Sequence, residues 1–244
     1  FPLCVESLRG PRNMNLRPAH IGIVCPLDRG LSGLTLDFSA RLKAHALLEV
    51  AGGHDVSIID LYADGFDPRM TREERLRYES DDPIVDPQVR RYADLVIEAE
   101  MLVFVYPTWW FGMPAILKGW VDRVFAAGLM YGGGKWYSNG VFRGKRAMLS
   151  LTTGGGPTIY SPTGLNGAMD SLLFPIQHGM FYFLGFDVLP PFVAWAVARS
   201  SPEQRTAYLD EYAERLRHWQ TAESLSFPPL EAYDETFQLK STVA

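Results

Sequence analysis

Met101-Leu102-Val103-Phe104-Val105-Tyr106-Pro107-Thr108-Trp109-Trp110-Phe111-Gly112-Met113-Pro114-Ala115 is the stretch from which the fold of this chain can be read. Met101 to Tyr106 is short and apolar, the pattern of a strand buried on both faces rather than on one. Pro114 stands where the first turn of a helix tolerates a residue without an N–H. Ala115, Ile116, Leu117, Trp120, Val121, Val124 and Phe125 then form a wide apolar stripe at helical spacing to about residue 127. Between strand and helix lie three consecutive aromatics flanked by two prolines and a glycine. That is a poor composition for a surface turn and a serviceable one for the wall of a flat, conjugated ligand.

The same unit repeats outward along the chain. His20 to Cys25 reads as a first strand bounded by Pro26 and Gly30, and Leu34, Phe38, Leu42, Ala46 and Val50 recur as a helix that stops at Gly52-Gly53. Asp55 to Leu61 reads as strand two. Tyr62 to Asp86, rich in Asp, Arg, Pro and Glu, reads as a surface excursion with some irregular helix and little core. Pro87 to Glu100 follows as a helix with Tyr92, Leu95, Val96 and Ala99 inward. Beyond a loop at Gly132-Gly133-Gly134, Gly144 to Leu151 reads as strand four, Phe186 to Pro190 as strand five and Pro202 to Ser224 as a terminal helix. Strands alternating with helices call for an α/β fold, a parallel sheet covered on both faces. One domain over 14–225 is expected, with residues 1–13 as an extension and 226–244 as a C-terminal tail.

Composition narrows the function. The 244 residues are 47% hydrophobic, enough for a sizeable core, and a net charge of -5 supplies no basic footprint for nucleic acid. The two cysteines, Cys4 and Cys25, have neither CxxC nor Cys/His spacing, so disulfide and metal scaffolds are not expected and a reducing cytoplasm is. No apolar run reaches the roughly 18 residues of a membrane span.

In an open parallel sheet, ligands bind at the carboxyl ends of the strands. Three loops should meet there: Pro26 to Thr35, Tyr106 to Met113 and Thr152 to Tyr160. The first, with Asp28, Gly30, Ser32, Gly33 and Thr35 ahead of a helix, can present hydroxyls and amides to phosphate, or serve as a solvated turn with an N-cap. The third, Thr152-Thr153-Gly154-Gly155-Gly156-Pro157, offers hydroxyl donors and glycines that permit close approach to a planar ligand, or a plain turn. Beyond these loops, Tyr160 can donate a hydrogen bond to a ring oxygen as charge develops. Asn166 can donate without changing charge. Either could equally be an ordinary surface or interface residue.

Tyr106-Pro107-Thr108-Trp109-Trp110-Phe111-Gly112-Met113-Pro114-Ala115-Ile116-Leu117-Lys118-Gly119-Trp120-Val121-Asp122-Arg123-Val124-Phe125 closely resembles the signature of the NAD(P)H:quinone oxidoreductases of the flavodoxin-like fold. Leu151 to Gly155 with Tyr160, and Phe174-Pro175-Ile176-Gln177 through Gly185-Phe186, match in the same order, and the resemblance spans about Ile21 to Trp219. It implies a doubly wound five-stranded parallel sheet of order 2-1-3-4-5, a tightly bound flavin, and a homodimer with sites at the interface. Trp110 and Phe111 are then expected against the flavin ring beside Pro107, Thr108 and Trp109. Thr152, Thr153, Gly154 and Gly155 are expected at its polar edge, and Ser32, Leu34 and Thr35 in the phosphate loop. Asp122, Arg205 and Leu209 resemble contacts to the adenosine part of FAD, which favours FAD over FMN.

Cys25 stands where mammalian-type members have a histidine after the first strand, and Asn166 where some have a histidine beyond the glycine loop. Gly133 replaces a tyrosine on the substrate side, with Trp136 as an enlarged neighbour. The expected activity is ping-pong: NAD(P)H reduces the flavin, then a quinone or similar flat electrophile takes the hydride. Tyr160 would donate to the charged edge, Asn166 would make a substrate or relay contact, and Tyr131, Trp136 and Phe183 would wall the substrate cavity. The alternatives are an azo-, nitro- or natural-product-tailoring flavin reductase, and a flavodoxin-like one-electron carrier.

Overall fold

The buried run at residues 101–107 lies at the centre of a six-stranded parallel sheet, in a computed structural model that describes residues 19–25, 54–80 and 82–240. Its strands are β1 (His20–Cys25), β2 (Asp55–Asp60), β3 (Met101–Pro107), β4 (Arg146–Thr152), β5 (Asp187–Val188) and β6 (Phe192–Ala194), in the order β2-β1-β3-β4-β5, with β6 also on β4. The helices are α1 (Arg72–Arg77), α2 (Pro87–Glu98), α3 (Ala115–Val124), α4 (Met169–Ile176) and α5 (Pro202–Arg217). The expected flavodoxin-like order is the observed one.

All seven residues of β3 are buried because strands flank it and helices cover both its faces. Side chains alternate across a strand, so Met101, Val103 and Val105 enter one core with Phe192, Leu209, Tyr212 and Trp219. Leu102, Phe104 and Tyr106 enter the other with Tyr92, Trp120, Phe142 and Phe181. Side chains cap the helix starts: Asp86 accepts from the Gln88 amide ahead of α2, and Ser201 from the Gln204 amide ahead of α5, each with proline at the first helical position.

Three departures from the sequence expectation stand out. The predicted strand Phe186 to Pro190 shortens to β5, which pairs with Arg146 and Ala147, and an unexpected strand beyond it, β6, pairs with Ser150 to Thr152. Pro190 and Pro191 have no amide for the ladder and separate them. A helix was not foreseen over 169–176, where Pro175 interrupts the apolar pattern; from Gln177 to Tyr182 the chain continues as a π-helix. The excursion expected to carry little core buries Phe66 and Ile84. Thr71 and Glu74 cap α1 reciprocally there, and the Glu74 carboxylate then meets Arg123 of α3. The helix expected over Leu34 to Val50 lies outside the described residues.

Candidate active site

Parallel register brings the ends of three strands to one level. Pro107 of β3 pairs with Thr152 of β4, and Thr152 with Ala194 of β6. The Thr108 amide continues the ladder by donating to the Thr152 carbonyl at 2.8 Å. The aromatic loop, the glycine loop and the segment after β6 therefore leave the sheet side by side.

The aromatic loop is a two-residue hairpin turn. Trp109 and Gly112 exchange backbone hydrogen bonds of 3.0 Å in both directions, and the residues between them, Trp110 and Phe111, have φ of +50° and +63°. Positive φ at both central positions belongs to a type I′ turn, where Asn-Gly is the usual pair because side chains with a Cβ are strained there. Two bulky aromatics in those positions are held against their own backbone preference. Trp110 is 96% exposed and Phe111 48%, so burial of the rings within this chain does not repay the strain. Trp109 is also exposed, while Pro107 is buried and the half-buried Thr108 places a buried hydroxyl that has no hydrogen-bond partner among the described residues.

The glycine loop uses the Thr153 hydroxyl internally. Thr153 Oγ1 donates to the Gly155 carbonyl at 2.8 Å and accepts from the Ala196 amide, and both Thr152 and Thr153 are buried. The expectation that these hydroxyls face a ligand therefore does not describe Thr153, whose hydroxyl is spent on the loop. Gly155 is also packed inward: a Cβ there would lie 2.2 Å from Ile159 Cδ1 and 3.0 Å from a ring carbon of Tyr160. Gly154 is the exposed member, with open space where a Cβ would stand. The amides of Trp110, Phe111, Gly154 and Gly155 have no acceptor among the described residues.

The sequence reading missed the brace behind this loop. Trp195 packs its ring 5.7 Å from that of Tyr160, left-handed Ala196 donates to the Gly155 carbonyl, and Arg199 donates to the Gly154 carbonyl. An aromatic directly after the last strand was the available signal. Half-buried Asn166 is tied to the same loop through its amide, which donates to the Ile159 carbonyl at 2.8 Å.

A second cluster surrounds a cavity of about 260 Å³ beside α3, lined by Tyr78, Lys118, Val121, Asp122, Phe125, Tyr131, Gly179, Met180, Phe183 and Leu184. It brings together three predicted residues, Tyr131, Phe183 and Asp122. The Tyr131 ring meets Phe183 edge-on at 5.4 Å, and its hydroxyl lies 2.8 Å from that of Tyr78. Burial, with help from Tyr78 and Glu79, pushes the Tyr131 phenol above its ordinary range, so it keeps its proton. Asp122 pairs with Lys118 at 2.6 Å. Half-buried Trp136 is outside this lining and precedes Tyr137, whose φ is +48° and whose ring abuts Phe183. On α5, Arg205 is half-buried and donates to the Ser200 carbonyl, and Leu209, one turn on, is buried in the core. Ser32, Leu34 and Thr35 lie outside the described residues.

An exposed aromatic wall, an open glycine and, among the described residues, a buried hydroxyl without a partner and four amides without acceptors suit a flat group that is apolar on its face and polar at its edge. Residues 34–219 match the family described as having the flavodoxin-like fold. The chain is 37% identical over 201 residues to NAD(P)H dehydrogenase [quinone] 1 of Cavia porcellus, covering 76% of this chain and 73% of that one. It is 35% identical over 196 residues to ribosyldihydronicotinamide dehydrogenase [quinone] of Mus musculus, covering 74% and 85%. Among solved structures, a Klebsiella pneumoniae protein described as a candidate quinone reductase superposes with a TM-score of 0.83 at 30% identity, covering 93% of this chain and 95% of that one.

Proposed function

The chain belongs to the NAD(P)H:quinone oxidoreductase family of the flavodoxin-like fold, and from that premise we propose that it holds FAD at the carboxyl edge of its sheet and passes two electrons from NAD(P)H to a quinone or similar flat electrophile in a ping-pong cycle. The observation that carries this reading is the strained pair Trp110 and Phe111, presented to solvent at the ends of β3 and β4. A flavin bound there supplies hydride acceptance from the nicotinamide and hydride donation to the quinone.

The chain's own residues orient and exclude. Trp110 and Phe111, with Pro107 and Trp109 behind them, wall the ring, and the Thr108 hydroxyl with the amides of Gly154 and Gly155 meets its polar edge. Tyr160, held by Trp195, donates toward the edge where negative charge develops, at an atom preorganised by that contact. Asn166 contacts substrate and, having no titratable group, moves no proton. The choice of FAD over FMN rests on the resemblance of Arg205 and Leu209 to contacts with the adenosine part, with Ser32, Leu34 and Thr35 toward the phosphates.

Tyr131 and Phe183 receive the acceptor, with Trp136 beside them through its neighbour Tyr137, and Asp122 reaches the site of a second copy in a homodimer. The cytoplasm is the compartment in which we place it, on the two cysteines that have neither CxxC nor Cys/His spacing. The test is an absorbance spectrum of the purified protein, the mass of the released cofactor, and anaerobic mixing with NADH or NADPH followed by menadione. Bleaching by a dihydronicotinamide and recovery by menadione are expected; a protein that neither nucleotide bleaches refutes the reading.

A further inference from the structure

Tyr78 stands on no motif, yet it supplies one of the two phenols in the wall of the cavity beside α3. The other polar groups of that wall, Lys118 and Asp122, are spent on each other at 2.6 Å. The directional groups left are the two phenols, 2.8 Å apart. Two phenols hold two protons and only one can lie between them, so the accepting hydroxyl keeps a free O–H.

Each phenol is fixed from behind. Tyr131 is held by the edge of Phe183 and by burial that keeps it protonated. Tyr78 closes α1, which starts at the Thr71–Glu74 capping box; Glu74 accepts two hydrogen bonds of 2.9 and 2.7 Å from Arg123 of α3, a helix that also lines the cavity. Arg123 further bonds Asp86 and the Asp67 carbonyl, so both ends of the excursion are stapled to α3. The staple delivers the Tyr78 hydroxyl to Tyr131.

We propose that Tyr78 is a positioning residue for the electron acceptor: it donates its proton to Tyr131, which turns the O–H of Tyr131 into the cavity to bond a carbonyl oxygen of the quinone. This rests on the reading of the cavity as the acceptor site. A phenol that accepts one hydrogen bond is a stronger donor of the next, so the pair selects acceptors with a carbonyl oxygen over acceptors without one.

The test compares wild type, Tyr78→Phe, Tyr131→Phe and the double variant, all flavin-loaded, by calorimetric titration with menadione in the absence of nicotinamide. Steady-state KM and kcat with menadione and with ferricyanide, which has no carbonyl, are measured beside it. Loss of one hydrogen bond corresponds to about a fivefold weakening. Tyr131→Phe should weaken menadione binding about fivefold to tenfold and Tyr78→Phe about threefold, with KM for menadione rising in step and the ratio of kcat/KM for ferricyanide to that for menadione rising with it. In the Tyr131→Phe background, Tyr78→Phe should add nothing. Menadione binding by Tyr78→Phe equal to wild type, or an equal loss in both backgrounds, overturns the proposal while leaving the quinone reductase reading intact. A wild type that NAD(P)H bleaches but that neither binds nor reduces menadione overturns the acceptor reading and the proposal together.

Discussion

Replacing Trp110 by asparagine should make the flavin-free protein more stable and its flavin affinity lower. A left-handed conformation costs a residue with a Cβ about 1–2 kcal/mol, and asparagine tolerates it by bonding locally. Trp110 occupies it at φ +50°. Since its side chain is 96% exposed, the substitution sacrifices almost no packing against which that relief must be set. The expected net gain is ~0.5–1 kcal/mol, or about 1–4 °C in Tm for a domain of this size. Against a flavin, loss of the stacking ring removes about 0.5–1.5 kcal/mol, a weakening of about threefold to tenfold. Urea unfolding of the apoprotein reads the first effect as a higher midpoint at unchanged slope, and quenching of flavin fluorescence on titration reads the second. A Trp110→Asn apoprotein less stable than wild type by more than ~0.5 kcal/mol, or one that binds flavin as tightly, would refute the argument that this turn stores strain for ligand binding.

Three further outcomes follow from the packing. Arg123→Met leaves the Glu74 carboxylate buried without its partner, and should destabilise the fold by ~3–5 kcal/mol in urea, with part of the loss recovered by adding Glu74→Leu. Gly119→Ala drives a Cβ to 2.3 Å from the Pro68 carbonyl oxygen and 2.4 Å from its Cβ, so thermal melting should report a loss of ~1–3 kcal/mol. His178, stacked on Phe174 at 4.6 Å, has its pKa pushed below the ordinary 6.5 by burial. Its folded form binds protons less readily than its unfolded form, so its contribution is complete above about pH 6.5 and declines as pH falls below it. The urea midpoint of His178→Phe should then fall less steeply than that of wild type between about pH 5 and 7; parallel profiles would contradict the burial argument.

Much of the fold was legible before any coordinates. Met101 to Pro107 is buried on both faces and says so in its composition, and the starts of α2 and α5 at Pro87 and Pro202 fall where the sequence places them. The fifth strand was misread because Leu189-Pro190-Pro191 keeps an apolar pattern while its prolines remove the amides a ladder needs. Residues 169–184 were passed over because Pro175 breaks the periodicity on which helix recognition rests. In the site, Trp110, Phe111 and Gly154 carry local signals, aromatics and glycine at a strand end. Trp195 and Tyr78 do not, since what matters about them is a contact made across 35 and 53 residues respectively.

By itself the sequence determined the periodicities, hence the parallel sheet and the edge at which its loops must gather, because burial and hydrogen-bonding demands are written residue by residue. Only the tertiary structure decided which hydroxyls those loops keep for themselves, as Thr153 does, and which have no partner among the described residues, as Thr108 does. It alone set Trp110 and Phe111 in left-handed conformations and brought Tyr78 to Tyr131. The physical reason is that strain and polar satisfaction belong to pairs of groups, and distant pairs exist only once the chain has closed.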